Sequence, residues 1–518
     1  FVPNELFFAE TTPVDLNDIY DTRGKSYSVK GLIALLNNYK FTVEENTPLD
    51  VEIALDPELL GKVFENLLAS YNPETGATAR KATGSFYTPR EIVDYMVTSS
   101  LKNYLANSLN ASQLDKLLAY THDSIELSDH DRRKLIDQLD LLTIIDPAIG
   151  SGAFPMGLLH KITHLLGKID PENKLWKQKL LNATPAALRS SVEKTLNNSN
   201  LDYTRKLHLI QNTIYGVDIQ PVAVQIAKLR FFISLVIEQN ATTDRADNYG
   251  ITPLPNLETK FVCANSLLPL DKPVVQDLFH SELQAIEDRI KQNREQHFYA
   301  DSRQKKLEVM QADKQLRDAL CAELVRQGMP KASSEQLCRW DPYNPNQSAG
   351  FFDAEFMFGI TKGFDIVIGN PPYIRQEKIK DIKPVLQKSN YVCYNGTADI
   401  YIYFFELGYK LLSDHGVLSY ITSNKYTRAN YGKEFRNFIL DKTRLVEYVD
   451  FNGVAVFESA TVDTSILSFS KQVATENDSF FYCSVEKDYT GDALAVYCAK
   501  KGFTYQQSDL VSESFAVV

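Results

Sequence analysis

Between about residues 81 and 475 the sequence alternates short β-like runs with amphipathic helical stretches, and this alternation restricts the fold more than any other feature. Strands joined by helix-length crossovers pair in parallel, so the pattern predicts an α/β domain with a mainly parallel sheet. Candidate strands lie at 142–145, 214–217, 261–263, 364–368 and 416–421. Several run directly into loops rich in Gly, Asp, Asn or Pro, and in open α/β sheets ligands collect at those carboxyl ends. Two insertions interrupt the alternation: a polar helical stretch at about 167–212 and a charged one at about 276–328, nearly free of Gly and Pro. The second reads as a solvated pair of long helices, with an arm that contacts nucleic acid or a protein partner as the alternative.

The flanks read differently. Residues 1–80 read as a helical connector, in which Asp56 and Pro57 open a helix carrying Leu60, Val63, Phe64, Leu67 and Leu68 on one face, closed by a loop at 72–76. Residues 476–518 read as the end of the α/β domain and the start of a further C-terminal region. The chain's 518 residues exceed one ordinary domain. An apolar fraction of 44% with 23% charged residues is ordinary for a soluble globular protein. No run approaches the ~20 apolar residues of a membrane helix. Phe1 opens the chain without Met and without the basic start and apolar core of a secretory signal, which reads as a fragment of a cytoplasmic protein.

Six cysteines are scattered without paired spacing, as expected of reduced thiols rather than a disulfide framework or zinc site. His160 and His164 lie one helical turn apart, but Lys161 stands where a metalloprotease pattern needs Glu, so no metal is expected. The net charge of −11 argues mildly against a dedicated nucleic-acid binder, although an acidic body can carry a local basic cleft.

Four loops carry candidate chemistry. Asn370-Pro371-Pro372-Tyr373 follows the buried strand at 364–368. It suits methylation of a planar amino nitrogen, whose lone pair is delocalised and whose nucleophilicity is low. The Asn370 side-chain oxygen and the Pro371 carbonyl can accept both N–H groups and favour charge developing on nitrogen. Pro371 and Pro372 aim these acceptors in advance, and Tyr373 offers a face for stacking on a flat substrate. Asp146-Pro147-Ala148-Ile149-Gly150-Ser151-Gly152 lies between a strand and a helix, where Gly150 and Gly152 admit a ligand close to the backbone. Pro155 occupies the place of the third Gly of a dinucleotide fingerprint, so a nicotinamide reading is weak. Gly216-Val217-Asp218-Ile219 ends the next strand; Asp218 either accepts from ribose hydroxyls or caps the helix that begins near Pro221. Phe86-Tyr87-Thr88-Pro89 opens a helix with apolar Val93, Met96, Val97 and Leu101, and Thr88, Pro89 and Glu91 read as a capping box. Free amides at such a helix start also bind carboxylates.

In this order the four loops resemble the gamma class of amino-methyltransferases acting on N6 of adenine in DNA, most closely the methyltransferase portion of type IIG restriction–modification enzymes. The likeness covers about residues 50–475. It implies a Rossmann-like S-adenosylmethionine-dependent methyltransferase fold, with a mostly parallel seven-stranded sheet and helices on both faces. It further implies double-stranded DNA with a flipped adenine as substrate, S-adenosyl-L-methionine as cofactor, and no metal or membrane.

By resemblance, Phe86, Tyr87 and Thr88 contact the methionine end of the cofactor. Asp146, Pro147, Ala148, Gly150 and Gly152 form the main cofactor loop, with Asp218 and Ile219 at the ribose. Asn265 and Ser266 sit where the family binds the cofactor's adenine, although many members have Asp where Asn265 stands. Asn370 to Tyr373 matches the catalytic motif. Phe457 matches the second aromatic against the flipped base, and Lys425 is either a DNA contact or a surface-loop residue. The motif order puts a target-recognition domain C-terminal and a nuclease upstream, both expected in the same full-length polypeptide outside this chain. Two alternatives remain at this point. One is a methyltransferase acting on a protein glutamine or an RNA guanine; the other is a non-catalytic DNA-binding scaffold. A phage-defence methyltransferase that does not itself cut DNA stays within the class.

Overall fold

The computed structural model of the chain describes residues 11–14, 25–31 and 87–518, apart from 122–124, 185, 198–199, 241, 245–248, 250, 252–253, 271–279, 458–461, 488, 490–492, 512–514 and 516–518. The helix expected after Asp56, the loop at 72–76 and Phe86 lie outside the described residues. The chain divides into two compact units, Phe1–Leu60 and Gly61–Val518. In the first, β1 (Thr12–Val14) pairs antiparallel with β2 (Tyr27–Val29). These residues differ from the helical reading of the N-terminal region: Thr, Val and Tyr favour a pleated strand.

The second unit holds a nine-stranded sheet among its described residues. Its strands are β3 (Ile144–Asp146), β4 (Ile214–Asp218), β5 (Phe261–Cys263), β6 (Phe364–Gly369), β7 (Leu412–Ser423), β8 (Arg444–Asp450), β9 (Thr464–Ser470), β10 (Ser479–Ser484) and β11 (Phe503–Gln506). They lie in the order β11-β10-β8-β9-β7-β6-β3-β4-β5. From β5 across to β7 every pairing is parallel, and β9 runs antiparallel between β7 and β8. The chain winds outward from β3 to β5, returns to place β6 on the other side of β3, and so leaves a switch in strand direction of travel between β3 and β6.

The arrangement is the expected Rossmann-like α/β sheet, with one difference in extent. Seven strands were expected, and β10 and β11 continue the same sheet beyond them. The stretch after 476 therefore joins the sheet: β10 lies parallel to β8, with Tyr482 opposite Tyr448, and β11 closes on it antiparallel. Aromatic cross-strand pairs such as Tyr448–Tyr482 and Tyr482–Phe503 favour that pairing.

Alternation along the strands separates two cores. Ile144, Ile366, Ile368 and Ile421 face one, whereas Ile145, Val367, Leu418 and Tyr420 face the other. Helices α1 (Arg90–Leu105) and α2 (Ala153–Ile169) cover the first face with Val93, Met96, Val97, Leu101, Leu158 and Ile162, all buried. The polar stretch 167–212 forms α3 (Lys174–Ala183), α4 (Arg189–Asn197) and α5 (Leu201–Asn212), and α6 (Pro221–Val236) connects β4 towards β5.

The second insertion contains the expected pair of long helices, α7 (His280–Phe298) and α8 (Arg303–Arg326), followed by α9 (Lys331–Arg339). Buried Asp313 accepts from Arg294 at 3.1 Å and from Arg317 at 2.7 Å, tying α7 to α8. The Cys321 and Cys338 side chains meet between α8 and α9, with Cα atoms 6.2 Å apart. Helix packing brings the pair together, and no short sequence spacing announces it. Helix α10 (Ile400–Leu411) packs on the second core with Tyr403 and Phe405. No helix among the described residues is long and apolar enough to cross a membrane.

The capping box read at the start of α1 does not form. The helix begins at Arg90 behind Pro89, and no side chain caps it. Glu91 instead accepts from the Tyr489 hydroxyl and the Leu494 amide, and the Thr88 hydroxyl turns towards Asn370. Tertiary partners thus outcompete the local cap.

Two buried carboxylates generate predictions. Glu447 of β8 accepts from Tyr95 and, at 3.1 Å, from Ser99, both on α1. Burial raises its pKa despite these donors. The folded chain therefore holds this proton more tightly than the unfolded one. Stability contributed here falls as pH rises from the ordinary carboxyl range through the folded value. Glu447→Gln should remove that decline, seen as urea midpoints at neutral pH no lower than those of the parent chain. At the end of β6, a Cβ on Gly369 would lie 2.7 Å from Asp146 Oδ1 and 3.2 Å from its Cγ. Gly369→Ala should cost about 1–3 kcal/mol by overpacking, measurable by denaturant unfolding.

Candidate functional site

Because β3, β4, β5, β6 and β7 are parallel, their carboxyl ends share one edge of the sheet. The loops after β3, β4, β5 and β6 line a single cavity of about 310 Å³ there. That volume lies at the lower end of the usual range for small-molecule sites.

The loop after β3 is held by its own backbone and by β4. Asp146 Oδ1 accepts from the Ala148 amide at 3.0 Å, and the Ile149 amide donates to the Val217 carbonyl at 2.9 Å. Gly150 and Gly152 have φ of 52° and 85°, conformations that side chains other than glycine rarely adopt. Gly152 also lies close to α6: a Cβ there would be 3.3 Å from Ala227 Cβ. Asp146, Pro147, Ala148 and Gly150 line the cavity, and Gly152 stands behind it at the start of α2.

Asp218 at the end of β4 joins two loops. Its Oδ2 accepts from the Gly150 amide at 2.9 Å and its Oδ1 from the Gln220 amide at 2.8 Å. It lines the cavity together with Ile219, whose side chain is 55% exposed and free to lie against a ligand. Burial raises the pKa of Asp218 despite its amide donors. Burial likewise raises that of Asp146, opposed by the Ala148 amide and reinforced by the charge of Asp218. Two neighbouring buried carboxyls of this kind favour a ligand that brings positive charge.

After β5, Asn265 and Ser266 also line the cavity. Ser266 Oγ donates to the Pro147 carbonyl at 2.6 Å, and Asn265 Oδ1 accepts from the Leu267 amide at 3.3 Å. The Asn265 oxygen is thus already engaged in its own turn.

The loop after β6 brings Asn370 and Pro372 to the cavity, with Pro371 buried between them. Asn370 Nδ2 donates to Thr88 Oγ1 at 3.1 Å. Tyr373 does not line this cavity. Its hydroxyl donates to the Ile421 carbonyl at 3.3 Å, and its ring meets Phe457 edge-on, with centroids 5.9 Å apart and planes at 66°. The two aromatics expected to work together are therefore in contact, and Phe457 is buried. Lys425 is exposed on the turn that follows β7, away from the cavity wall. Thr88 lines the cavity and Tyr87, next to it, does not.

Sequence reasoning missed the opposite wall. Ile374, Ile379 and Ile382, together with Ile400 and Phe404 of α10, supply its apolar surface, and Lys378 and Asp381 lie at its margin. The signal was available: isoleucines recur at 374, 379 and 382 in a stretch otherwise dominated by charge.

Comparison with known proteins agrees with this architecture. The family model described as Eco57I restriction-modification methylase matches residues 212–457. The chain is 26% identical over 551 residues to a putative type II restriction enzyme and methyltransferase, RM.MjaORFECS2P of Methanocaldococcus jannaschii, covering 92% of this chain and 42% of that protein. It is 30% identical over 145 residues to the type II methyltransferase M.XhoI of Xanthomonas vasicola, covering 28% of this chain and 25% of that protein. With the type II restriction enzyme and methyltransferase RM.Eco57I of Escherichia coli it shares 27% identity over 157 residues, covering 30% of this chain and 15% of that protein. The chain spans less than half the length of each of these relatives. Residues 212–457, just under half of the chain, are thus similar to the Eco57I restriction-modification methylases, and the longer match is to a putative type II restriction enzyme and methyltransferase.

Proposed function

We propose that the chain transfers a methyl group from S-adenosyl-L-methionine to N6 of an adenine flipped out of double-stranded DNA, within a restriction–modification or phage-defence system. The observation that carries this reading is the meeting of Asn370 with Asp146, Gly150 and Asp218 on one cavity, beside the Tyr373–Phe457 pair.

The cavity's residues suit the cofactor. Two left-handed glycine positions let the backbone approach a ligand, and two buried carboxyls favour a cation. Asp218 and Ile219 would hold the ribose, Asn265 and Ser266 the adenine, and the Asp146–Gly152 loop the methionine end. When bound there, S-adenosyl-L-methionine supplies an electrophilic methyl group on a sulfonium.

The remaining chemistry belongs to the protein. Asn370 Oδ1 and the Pro371 carbonyl accept the two N–H groups of the target amine, which raises electron density on nitrogen as the N–C bond forms. As that bond forms the methyl–sulfur bond would break, its electron pair staying on sulfur as a neutral thioether, and one proton would leave nitrogen for solvent. Tyr373 and Phe457 offer aromatic faces to a base that has lost its stacking neighbours in the duplex. The motif holds no Cys, in keeping with direct attack by nitrogen and no covalent enzyme intermediate. Lys425, exposed near the same edge, is assigned to the DNA backbone.

The test is single-molecule sequencing of DNA from cells expressing the intact gene. N6-methyladenine at one defined sequence is expected, reduced at least about 100-fold by Asn370→Ala with cofactor affinity nearly unchanged. Equal loss of both would remove the catalytic role of that side chain. No modified adenine from soluble, cofactor-binding protein would redirect the reading to a protein or RNA substrate. Asp218→Ala should weaken cofactor binding by about 10-fold or more in calorimetric titration, because the acceptor proposed for the ribose is lost.

A further inference from the structure

Thr88 stands one residue before Pro89, which occupies the N-cap position of α1. Helix α1 starts two residues later without any side-chain cap. The Thr88 side chain is instead 4% exposed, lines the cavity and bonds Asn370 across the fold, with Nδ2 donating to its Oγ1 at 3.1 Å. A buried hydroxyl that lies outside the capping position and bonds one side chain on another element is a specific arrangement.

The arrangement bears on which end of the Asn370 amide meets substrate. The two ends of an amide are nearly equal in size but opposite in hydrogen-bonding character. Only the oxygen can accept from an amino group; the NH2 end would oppose it donor to donor. With Nδ2 on Thr88, the donor end is satisfied away from the target position. Removing the acceptor would take that partner from the part-buried NH2 and penalise the productive orientation.

We propose that Thr88 is a positioning residue for methyl transfer, holding the Asn370 amide nitrogen so that Oδ1 is aimed at the target amine. This rests on the role proposed for Asn370 and differs from the role implied by resemblance, in which Thr88 serves the methionine end of the cofactor. The two roles separate experimentally. Val has the shape of Thr and neither donor nor acceptor, whereas Ser keeps the hydroxyl.

The experiment uses the full-length protein and DNA from a strain that lacks its modification. It measures S-adenosyl-L-methionine affinity by calorimetry, the single-turnover methylation rate at saturating cofactor, and KM for DNA. Thr88→Val should lower the single-turnover rate by about 10-fold, with cofactor Kd and the KM for DNA each within about twofold of the parent. Thr88→Ser should restore most of the rate. If the Val variant is insoluble, the Thr88→Ser and Thr88→Ala pair isolates the hydroxyl, and a slow Ala variant beside a fast Ser variant supports the proposal. A weakened cofactor Kd with an unchanged saturated rate would assign Thr88 to the cofactor and overturn it. An unchanged rate and Kd in active protein would overturn it alone, whereas parent protein that methylates no adenine overturns the underlying reading first.

Discussion

Asp146 and Gly369 end two neighbouring parallel strands, and the contact between them governs the geometry of the candidate site. The carboxyl group of Asp146 occupies the space that a side chain at 369 would need. The glycine therefore allows β3 and β6 to finish side by side, and the loops that follow diverge from almost the same point. One carries Gly150 and Gly152; the other carries Asn370. Asp218 extends the same constraint to β4 by accepting from the Gly150 amide. Three strand ends are thus linked through two carboxylates and a missing side chain.

Such linkage is expensive in electrostatic terms. Burial pushes Asp146 and Asp218 towards their neutral forms, and only backbone amides and the polar edge of the sheet oppose that tendency. The same burial makes any ligand charge near them more effective, because little water intervenes. The opposite wall, built from Ile374, Ile379, Ile382 and Phe404, keeps one side of the cavity apolar. Polar and apolar walls facing each other orient a ligand that has both characters.

What was legible in the sequence follows from how local its cause is. Parallel strands ending in Gly-, Asp- or Asn-rich loops announce themselves through short-range pattern, and β3 to β7 were all read within a few residues of their ends. The interior strands β8 and β9 were not singled out, since each is mixed in composition and acquires its place by pairing, β9 with β7 and β8, and β8 with β9 and β10. The cap at Thr88 was misread for the same reason. Its hydroxyl and the Glu91 carboxylate fit a local motif, but partners hundreds of residues away take them. Likewise Cys321 and Cys338 meet only because α8 packs on α9. The tetrapeptide at 370–373 was legible because proline and aromatic residues after a buried strand have few other uses. The wall at 374–382 has a weaker pattern and needed the fold to reveal its direction.

The excursion between β5 and β6 leaves and re-enters at one root. The Asn265 amide donates to the Ala349 carbonyl and the Ala349 amide to the Cys263 carbonyl, both at 2.9 Å, and the Phe352 amide donates to the Leu268 carbonyl at 2.8 Å. With the ends fastened to each other by backbone bonds, the span between them works as an appendage. Doubling a flexible loop adds only about 0.6 kcal/mol of closure entropy, so its outer reach is thermodynamically cheap to lengthen or shorten. Its inner part is bolted down, since Asn256 donates to the His297 and Ala300 carbonyls and Arg294 to those of Phe356 and Met357. Variation in such a chain can therefore accumulate where α7 begins and α8 ends, around the exposed Glu282–Arg326 pair, while the separation of the Asn265 and Asn370 loops stays fixed by the sheet.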